Sequence, residues 1–212
     1  MTSIAIIDYG MGNLRSVAKA LEHVAPGARV AVTQNRQDIL RADRVVFPGQ
    51  GSIRDCMREL AHWDLVAVVR EAALGKPFLG LCLGPQALLE FSEENGGVEC
   101  LNVLPGQVVW FGDLRDPATG ERLKVPHMGW NRVRQQGDHP LWRGIPQDSR
   151  FYFVHSYYPR PADVALVAGR TEYGFEFASA IARDNIFAVQ FHPEKSAQAG
   201  LRLLANFVGW NP

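Results

Sequence analysis

The chain has 212 residues and 47% apolar side chains, enough to bury a full core. Lysine plus arginine equals aspartate plus glutamate at 22 each, without a basic block, which argues against a nucleic-acid partner. Three cysteines without paired spacing speak against a disulfide framework and permit a reactive thiol. Met1-Thr2-Ser3 leads straight into a strand and no long apolar run follows, so a soluble, cytoplasmic protein without a membrane span is expected.

Residues 4–7 read as a strand, and Leu14, Val17, Ala18, Leu21 and Val24 recur at helical spacing until Pro26-Gly27 stops the helix. Residues 29–33, 45–47 and 78–81 are further strands, with helices over 38–42 and along 53–74 between them. This alternation predicts an α/β fold: a mostly parallel central sheet, helices on both faces, and an active site at the strands' C-terminal ends. From about 108 to 189 the pattern becomes β-rich, with strands at 108–111, 151–154, 164–168 and 177–181, many of them antiparallel. A last helix over 197–210 is expected to turn Leu201, Leu204, Ala205 and Val208 toward the sheet. There is no linker, low-complexity tract or repeat, so residues 1–212 are read as one domain.

The chemistry centres on Cys82. The apolar strand 78–81 ends on it, with Gly80 two residues before, Gly84 two after, and a helical run over 86–91 beyond. A sharp strand-to-helix turn needs small neighbours and lifts a nucleophile above the sheet edge. The amides of the new helix favour a thiolate and an oxyanion there. A core cysteine beside two turn glycines fits this motif equally well. Far downstream, the apolar strand 186–191 runs into His192-Pro193-Glu194. A thiol with an ordinary pKa of ~8.5 is only a few per cent ionised near neutrality. It needs a base, and the base needs a carboxylate to fix its tautomer. Pro193 forces the chain out of the sheet at that point. A His-x-Glu pair also fits a surface ion pair or half a metal site, but no His-Glu-x-x-His or Cys-x-x-Cys spacing supports a metal. Gly10-Met11-Gly12 follows a strand like a dinucleotide loop, but Arg15 stands where a third glycine is required, so no nucleotide cofactor is expected. Cys56 and Cys100 read as structural.

Gly-x-Cys-x-Gly followed by a distant His-Pro-Glu resembles the triad, or class I, glutamine amidotransferases. These hydrolyse glutamine and pass the ammonia to a synthase partner. Asp8-Tyr9-Gly10-Met11-Gly12-Asn13-Leu14, Phe47-Pro48-Gly49-Gln50-Gly51-Ser52, Pro126-His127-Met128-Gly129-Trp130-Asn131, Phe153-Val154-His155-Ser156-Tyr157 and Phe191-His192-Pro193-Glu194-Lys195-Ser196 are similar, within that family, to the glutaminase subunits of imidazole glycerol phosphate synthases, from histidine biosynthesis. The similarity covers essentially the whole chain. It implies L-glutamine as substrate, no cofactor, and as partner the barrel-shaped cyclase subunit of that synthase.

Cys82 is then the nucleophile, His192 the base and Glu194 its orienting carboxylate. The amide of Leu83 is one oxyanion donor, and the strand-end loop Gly49-Gln50-Gly51 supplies the second; a plain glycine turn before a helix is the alternative for that loop. The resemblance further implies that Gln86, Glu94, His155, Ser156 and Tyr157 hold the substrate's α-amino and α-carboxylate groups or line its pocket, and that Asn13, Trp130 and Lys195 face the partner. Residue type alone leaves Gln86 and Glu94 as helix-surface polar groups, His155 as a satisfied core histidine and Trp130 as a core anchor. Pro85 stands where the family usually has methionine, and Gln50 where it usually has valine. Two rival functions remain from sequence: another cysteine hydrolase of the same fold, or a regulatory module with a dead site.

Overall fold

A computed structural model describes all of residues 1–212. The first half is a strand-helix alternation: β1 (Ser3–Ile7), α1 (Leu14–Val24), β2 (Arg29–Thr33), α2 (Arg36–Arg41), β3 (Arg44–Gly49), α3 (Ile53–His62), α4 (Val66–Gly75) and β4 (Phe78–Cys82), followed by the short α5 (Gly84–Ala87). The second half is mostly strands: β5 (Phe91–Ser92), β6 (Val98–Glu99), β7 (Gly106–Trp110), β8 (His127–Arg132), β9 (Arg134–Gln135), β10 (Arg150–His155), β11 (Tyr157–Pro161), β12 (Val167–Tyr173), β13 (Phe175–Arg183) and β14 (Ile186–Val189). Helix α6 (Ala197–Gly209) ends the fold.

Eight strands form the central sheet in the order β2-β1-β3-β4-β14-β13-β12-β9. The pairings from β2 to β14 are parallel and those from β14 to β9 antiparallel. Two smaller sheets, β10-β8 and β11-β7-β5-β6, make up the additional β-rich portion. The inner strands read as unbroken apolar runs because both of their faces are covered. Ile4, Ile6, Val46, Leu79 and Phe187 pack on one face with Val17, Leu21, Leu203, Leu204 and Phe207 of α1 and α6. Ala5, Ile7, Val45, Phe47 and Ala188 pack on the other with Ile39, Ile53, Leu60, Val68 and Ala87 from α2 to α5.

Local chemistry sets several boundaries. Asn35 caps α2 by accepting from the amides of Gln37 and Asp38 at 2.8 and 3.2 Å, and Ser52 caps α3 by accepting from Asp55 N–H at 3.1 Å. Between α3 and α4 the helical pattern breaks at Asp64, which takes φ +54°, a left-handed conformation that aspartate tolerates.

Three expectations are corrected. The helix expected over 86–91 stops at Ala87, and Phe91 instead starts β5, paired with Gln107 of β7; this pairing overrides the helical spacing. The strand expected at 164–168 begins only at Val167, because Asp163 accepts from Ala165 N–H at 2.8 Å and winds Val164–Leu166 into a 3-10 turn. The inward face of α6 carries Gly200, Leu203, Leu204 and Phe207, while Leu201, Ala205 and Val208 lie at its margin.

Gly200 explains the rotation of that helix. A Cβ there would lie 1.9 Å from the Pro193 carbonyl oxygen and 2.7 Å from its carbon, so only glycine lets α6 seat against the turn after β14. Gly200→Ala gains about 1 kcal/mol of helix propensity, but it meets rigid backbone, and overpacking of this kind costs typically about 1–3 kcal/mol or more. The expected outcome is a lower urea midpoint and reduced activity. Gly209→Ala in the same helix, with nothing within 4 Å, should be neutral or stabilising.

Candidate active site

Strand β4 lies between β3 and β14, with Cys82 opposite Gly49 on one side and Leu81 opposite Val189 on the other. The ends of three neighbouring parallel strands thus deliver the thiol, the glycine loop and, three residues beyond β14, His192. They open on a cavity of about 720 Å³ lined by Gly10, Gln50, Cys82, Glu94, Tyr157 and His192 among others.

Cys82 sits at φ +56°, a conformation that costs a non-glycine residue about 1–3 kcal/mol and persists only where its surroundings enforce it. The surroundings here are tight. A Cβ on Gly80 would lie 2.9 Å from the Ala188 Cβ, and one on Gly84 3.0 Å from the Phe47 carbonyl oxygen, so both glycines of the motif are required by close packing. Gln190, fully buried, donates from Nε2 to the Cys82 carbonyl at 2.9 Å and accepts from Gln86 Nε2 at 2.9 Å. Gln190 was missed from sequence. The available signal was a polar residue inside an apolar strand run, which must find partners if it is buried.

The His192 Nδ1 contacts Glu194 Oε1 at 2.8 Å, both side chains being almost completely buried. The turn is pinned by His192 N–H donating to the Tyr152 carbonyl at 2.9 Å and by the Ser196 hydroxyl donating to the His192 carbonyl at 2.5 Å. Burial alone would push the His192 pKa down, but the neighbouring Cys82 and Glu194 outweigh it and raise the pKa to about 10. Nε2 is buried without a hydrogen bond of ordinary geometry. A resting catalytic pair is often loose in this way and tightens around substrate. A thiol, an imidazole and a carboxylate thus lie together, the residue types that acyl transfer uses.

The Leu83 N–H donates to the Gly49 carbonyl at 3.5 Å. The oxygen and N–H of a trans peptide point in opposite directions, so the Gly49-Gln50 peptide turns its oxygen toward Leu83 and its N–H away. In this arrangement Leu83 and Gln50 do not offer two converging donors. Gly51 has φ +91° and Gly49 has no room for a Cβ, so the loop depends on glycine at both positions.

The expected substrate residues all line the cavity, but not equally. Gln86 spends both N–H groups on the Tyr157 carbonyl (3.1 Å) and Gln190, leaving Oε1 as an acceptor. Glu94 lies in a 3-10 turn rather than on a helix surface, and its Oε2 accepts from Ile53 N–H at the start of α3 at 2.7 Å. Its pKa is raised, chiefly by burial. Gln86 Oε1 and the second Glu94 oxygen are thus available to an ammonium group. Ser156 faces the cavity beside Tyr157. His155 lines the cavity as expected, but neither ring nitrogen is free. Its Nδ1 must donate to the Tyr157 carbonyl (2.8 Å), so Nε2 accepts from His127 Nδ1 (3.0 Å), and His127 Nε2 in turn accepts from Asn131 (3.2 Å). One oriented chain of neutral rings results, and His155 shapes the cavity wall.

Among the expected partner-facing residues, Trp130 is 45% exposed, which removes the core-anchor alternative, and stands edge-on to Tyr152 at 6.3 Å. The exposed Lys195 places Nζ 5.9 Å from the same ring, so the two flank the triad turn. Asn13 precedes α1 and makes no side-chain cap. Exposed Trp110 and Met128 extend the apolar surface. Cys56 and Cys100 are buried, with pKa values pushed up to about 12 mainly by burial. No group of three or more His, Cys, Asp or Glu side chains is placed to hold a metal, and no helix is long and apolar enough to cross a membrane.

The glutamine amidotransferase class-I family matches residues 5–209. The chain belongs to the class-I glutamine amidotransferases. It is 64% identical to the imidazole glycerol phosphate synthase subunit HisH of Aromatoleum aromaticum, over all of both chains. It is 63% identical to the protein of that name from Nitrosococcus oceani, covering 100% and 99% of the two chains, and 57% identical to that from Pseudomonas syringae, again covering 100% and 99%. Among solved structures it superposes on a glutamine amidotransferase with TM-score 0.71 at 16% identity, covering 97% and 99% of the chains. It matches PurLQS from Thermotoga maritima with TM-score 0.70 at 18% identity, covering 98% of each. These structural likenesses carry the amidotransferase fold far beyond close sequence relatives.

The neutral histidine chain predicts that this amidotransferase loses stability in acid. Burial lowers the pKa of His127 to about 4 and that of His155 to about 3, so between pH ~6.5 and ~4 the unfolded chain binds protons that the native pair refuses. Stability from this pair is therefore present above pH ~6.5 and lost as pH falls toward 4. Urea midpoints measured across that range should fall with acid, and the His127→Gln/His155→Gln variant should flatten the dependence.

Proposed function

We propose that this class-I amidotransferase is the glutaminase subunit of an imidazole glycerol phosphate synthase, feeding ammonia to a cyclase subunit in histidine biosynthesis. The observation that carries the reading is full-length identity of 57 to 64% with relatives of that name, joined to a thiol and an imidazole at one cavity with a carboxylate bonded to the imidazole.

In the reaction, His192 takes the Cys82 proton and the thiolate attacks the side-chain amide carbon of glutamine. The proton on His192 passes to the departing ammonia, leaving a γ-glutamyl thioester. Water deprotonated by His192 then attacks the thioester, releasing glutamate and restoring the thiol. Glu194 keeps the ring oriented and stabilises imidazolium. Gln86 and Glu94 hold the α-ammonium, with Ser156 and Tyr157 beside them. Leu83 N–H and Gln50 N–H stabilise the oxyanion once the Gly49-Gln50 peptide has turned. Trp130, Lys195 and Asn13 belong to the face that docks the cyclase, next to the triad turn.

The resting orientation of that peptide makes the lone subunit a poor catalyst, since an absent oxyanion donor costs about 2.7–4 kcal/mol of barrier. Docking to a cyclase that holds its phosphorylated substrate turns the peptide and restores the donor. Glutamate release should therefore rise on the order of a hundred- to a thousand-fold from lone chain to substrate-loaded complex; full activity of the lone chain would exclude such gating. Cys82→Ala should abolish glutamine-dependent cyclisation while leaving ammonia-dependent cyclisation by the complex intact. Glutamine hydrolysis retained in that variant would remove Cys82 from its role.

A further inference from the structure

The Tyr9-Gly10-Met11-Gly12 loop fits neither a dinucleotide nor the chemistry of the triad, yet it lies directly against the oxyanion loop. A Cβ on Gly12 would lie 3.7 Å from Gly49 Cα, and one on Gly51 would lie 3.0 Å from the Met11 methyl. Tyr9 is the buried end of this contact. Its ring is wholly enclosed and packs on Phe47 at 5.4 Å, and its hydroxyl lies 2.6 Å from where a Gly49 Cβ would be. That hydroxyl has no hydrogen bond of ordinary geometry, its one partner being the thiol of Cys56. Its polar neighbours are the thiols of Cys56 and Cys82, which accept hydrogen bonds weakly. Buried hydroxyls almost always find a partner, so an orphan at this position calls for an explanation.

The complementary orphan arises on the other side of the proposed reaction. When the Gly49-Gln50 peptide presents its N–H to an oxyanion, the Gly49 carbonyl loses the Leu83 amide it holds at rest and needs another donor in a buried setting. We propose that Tyr9 is a positioning residue for catalysis, its hydroxyl receiving the Gly49 carbonyl in the active orientation of the loop. At rest the Tyr9 hydroxyl is then the group without a strong partner, and in a variant lacking that hydroxyl it is the turned carbonyl. Burial holds the phenol pKa well above its ordinary value, so Tyr9 remains a donor throughout the working range. The inference rests on the glutaminase reading above and adds to it the group that stabilises the active loop.

Tyr9→Phe deletes only the hydroxyl. Glutamate release is measured for wild type and variant in the complex with the cyclase subunit, with and without that subunit's phosphorylated substrate. Alkylation of Cys82 by iodoacetamide and urea unfolding are followed in parallel. The variant is expected to lose on the order of ten- to a hundred-fold in stimulated kcat, with little change in KM for glutamine. It should unfold at an equal or higher urea concentration, because no bonded hydroxyl is removed at rest. Alkylation should proceed at the wild-type rate, because displacement at a saturated carbon forms no oxyanion. Undiminished stimulated kcat overturns the proposal. So does a fall in alkylation rate and urea midpoint in step with kcat, which marks Tyr9 as merely structural. A wild-type complex that releases no glutamate under any condition overturns the glutaminase reading instead.

Discussion

The site depends on one constraint: β4 must pack between β3 and β14 closely enough for Gly49, Cys82 and the His192 turn to meet. Parallel pairing on both sides of β4 fixes their relative heights. The cost is steric, and it is met with glycine. Gly80 clears Ala188, Gly84 clears Phe47, Gly49 clears Tyr9 and Leu83, and Gly200 clears Pro193. Each of these contacts is made by an element that carries or supports a reacting group, so the packing that stabilises the sheet also sets the geometry of the chemistry.

Electrostatics follows from the same burial. His192 and Glu194 sit on a turn held by main-chain and Ser196 hydrogen bonds, so the imidazole has little freedom except toward Cys82. Its raised pKa and the depressed values of His127 and His155 come from neighbouring environments of opposite kind: Cys82 and Glu194 outweigh burial at His192, whereas burial dominates at the other pair. The two environments thus hold His192 and the His127–His155 pair in opposite protonation preferences.

Much of this was legible in the sequence. The βαβ alternation gave the parallel core, and Gly-x-Cys-x-Gly with His-Pro-Glu named three residues that the fold brings together, Cys82 and His192 at the cavity and Glu194 bonded to His192. These signals are local, written in residue type and spacing. What was not legible depends on contacts between distant segments. Helix α5 stops at Ala87 because Phe91 finds a partner in β7; α6 rotates because Gly200 meets Pro193; the ring nitrogens of His155 are bound to Tyr157 and His127. Gln190 ties the elbow in place from a strand position that periodicity alone assigns to the core. The contact of Tyr9 with Gly49 joins the ends of two strands some forty residues apart in the chain.

The central claim is that Cys82 alone carries the γ-glutamyl group during turnover. The most direct measurement is acid quenching of the substrate-loaded complex during glutamine hydrolysis, followed by peptide mass spectrometry. A glutamyl adduct confined to the peptide containing Cys82, absent without glutamine and lost as glutamine is exhausted, is the predicted result. An adduct on the peptides of Cys56 or Cys100, or steady glutamate release with no adduct even when thioester hydrolysis is slowed, would contradict the account.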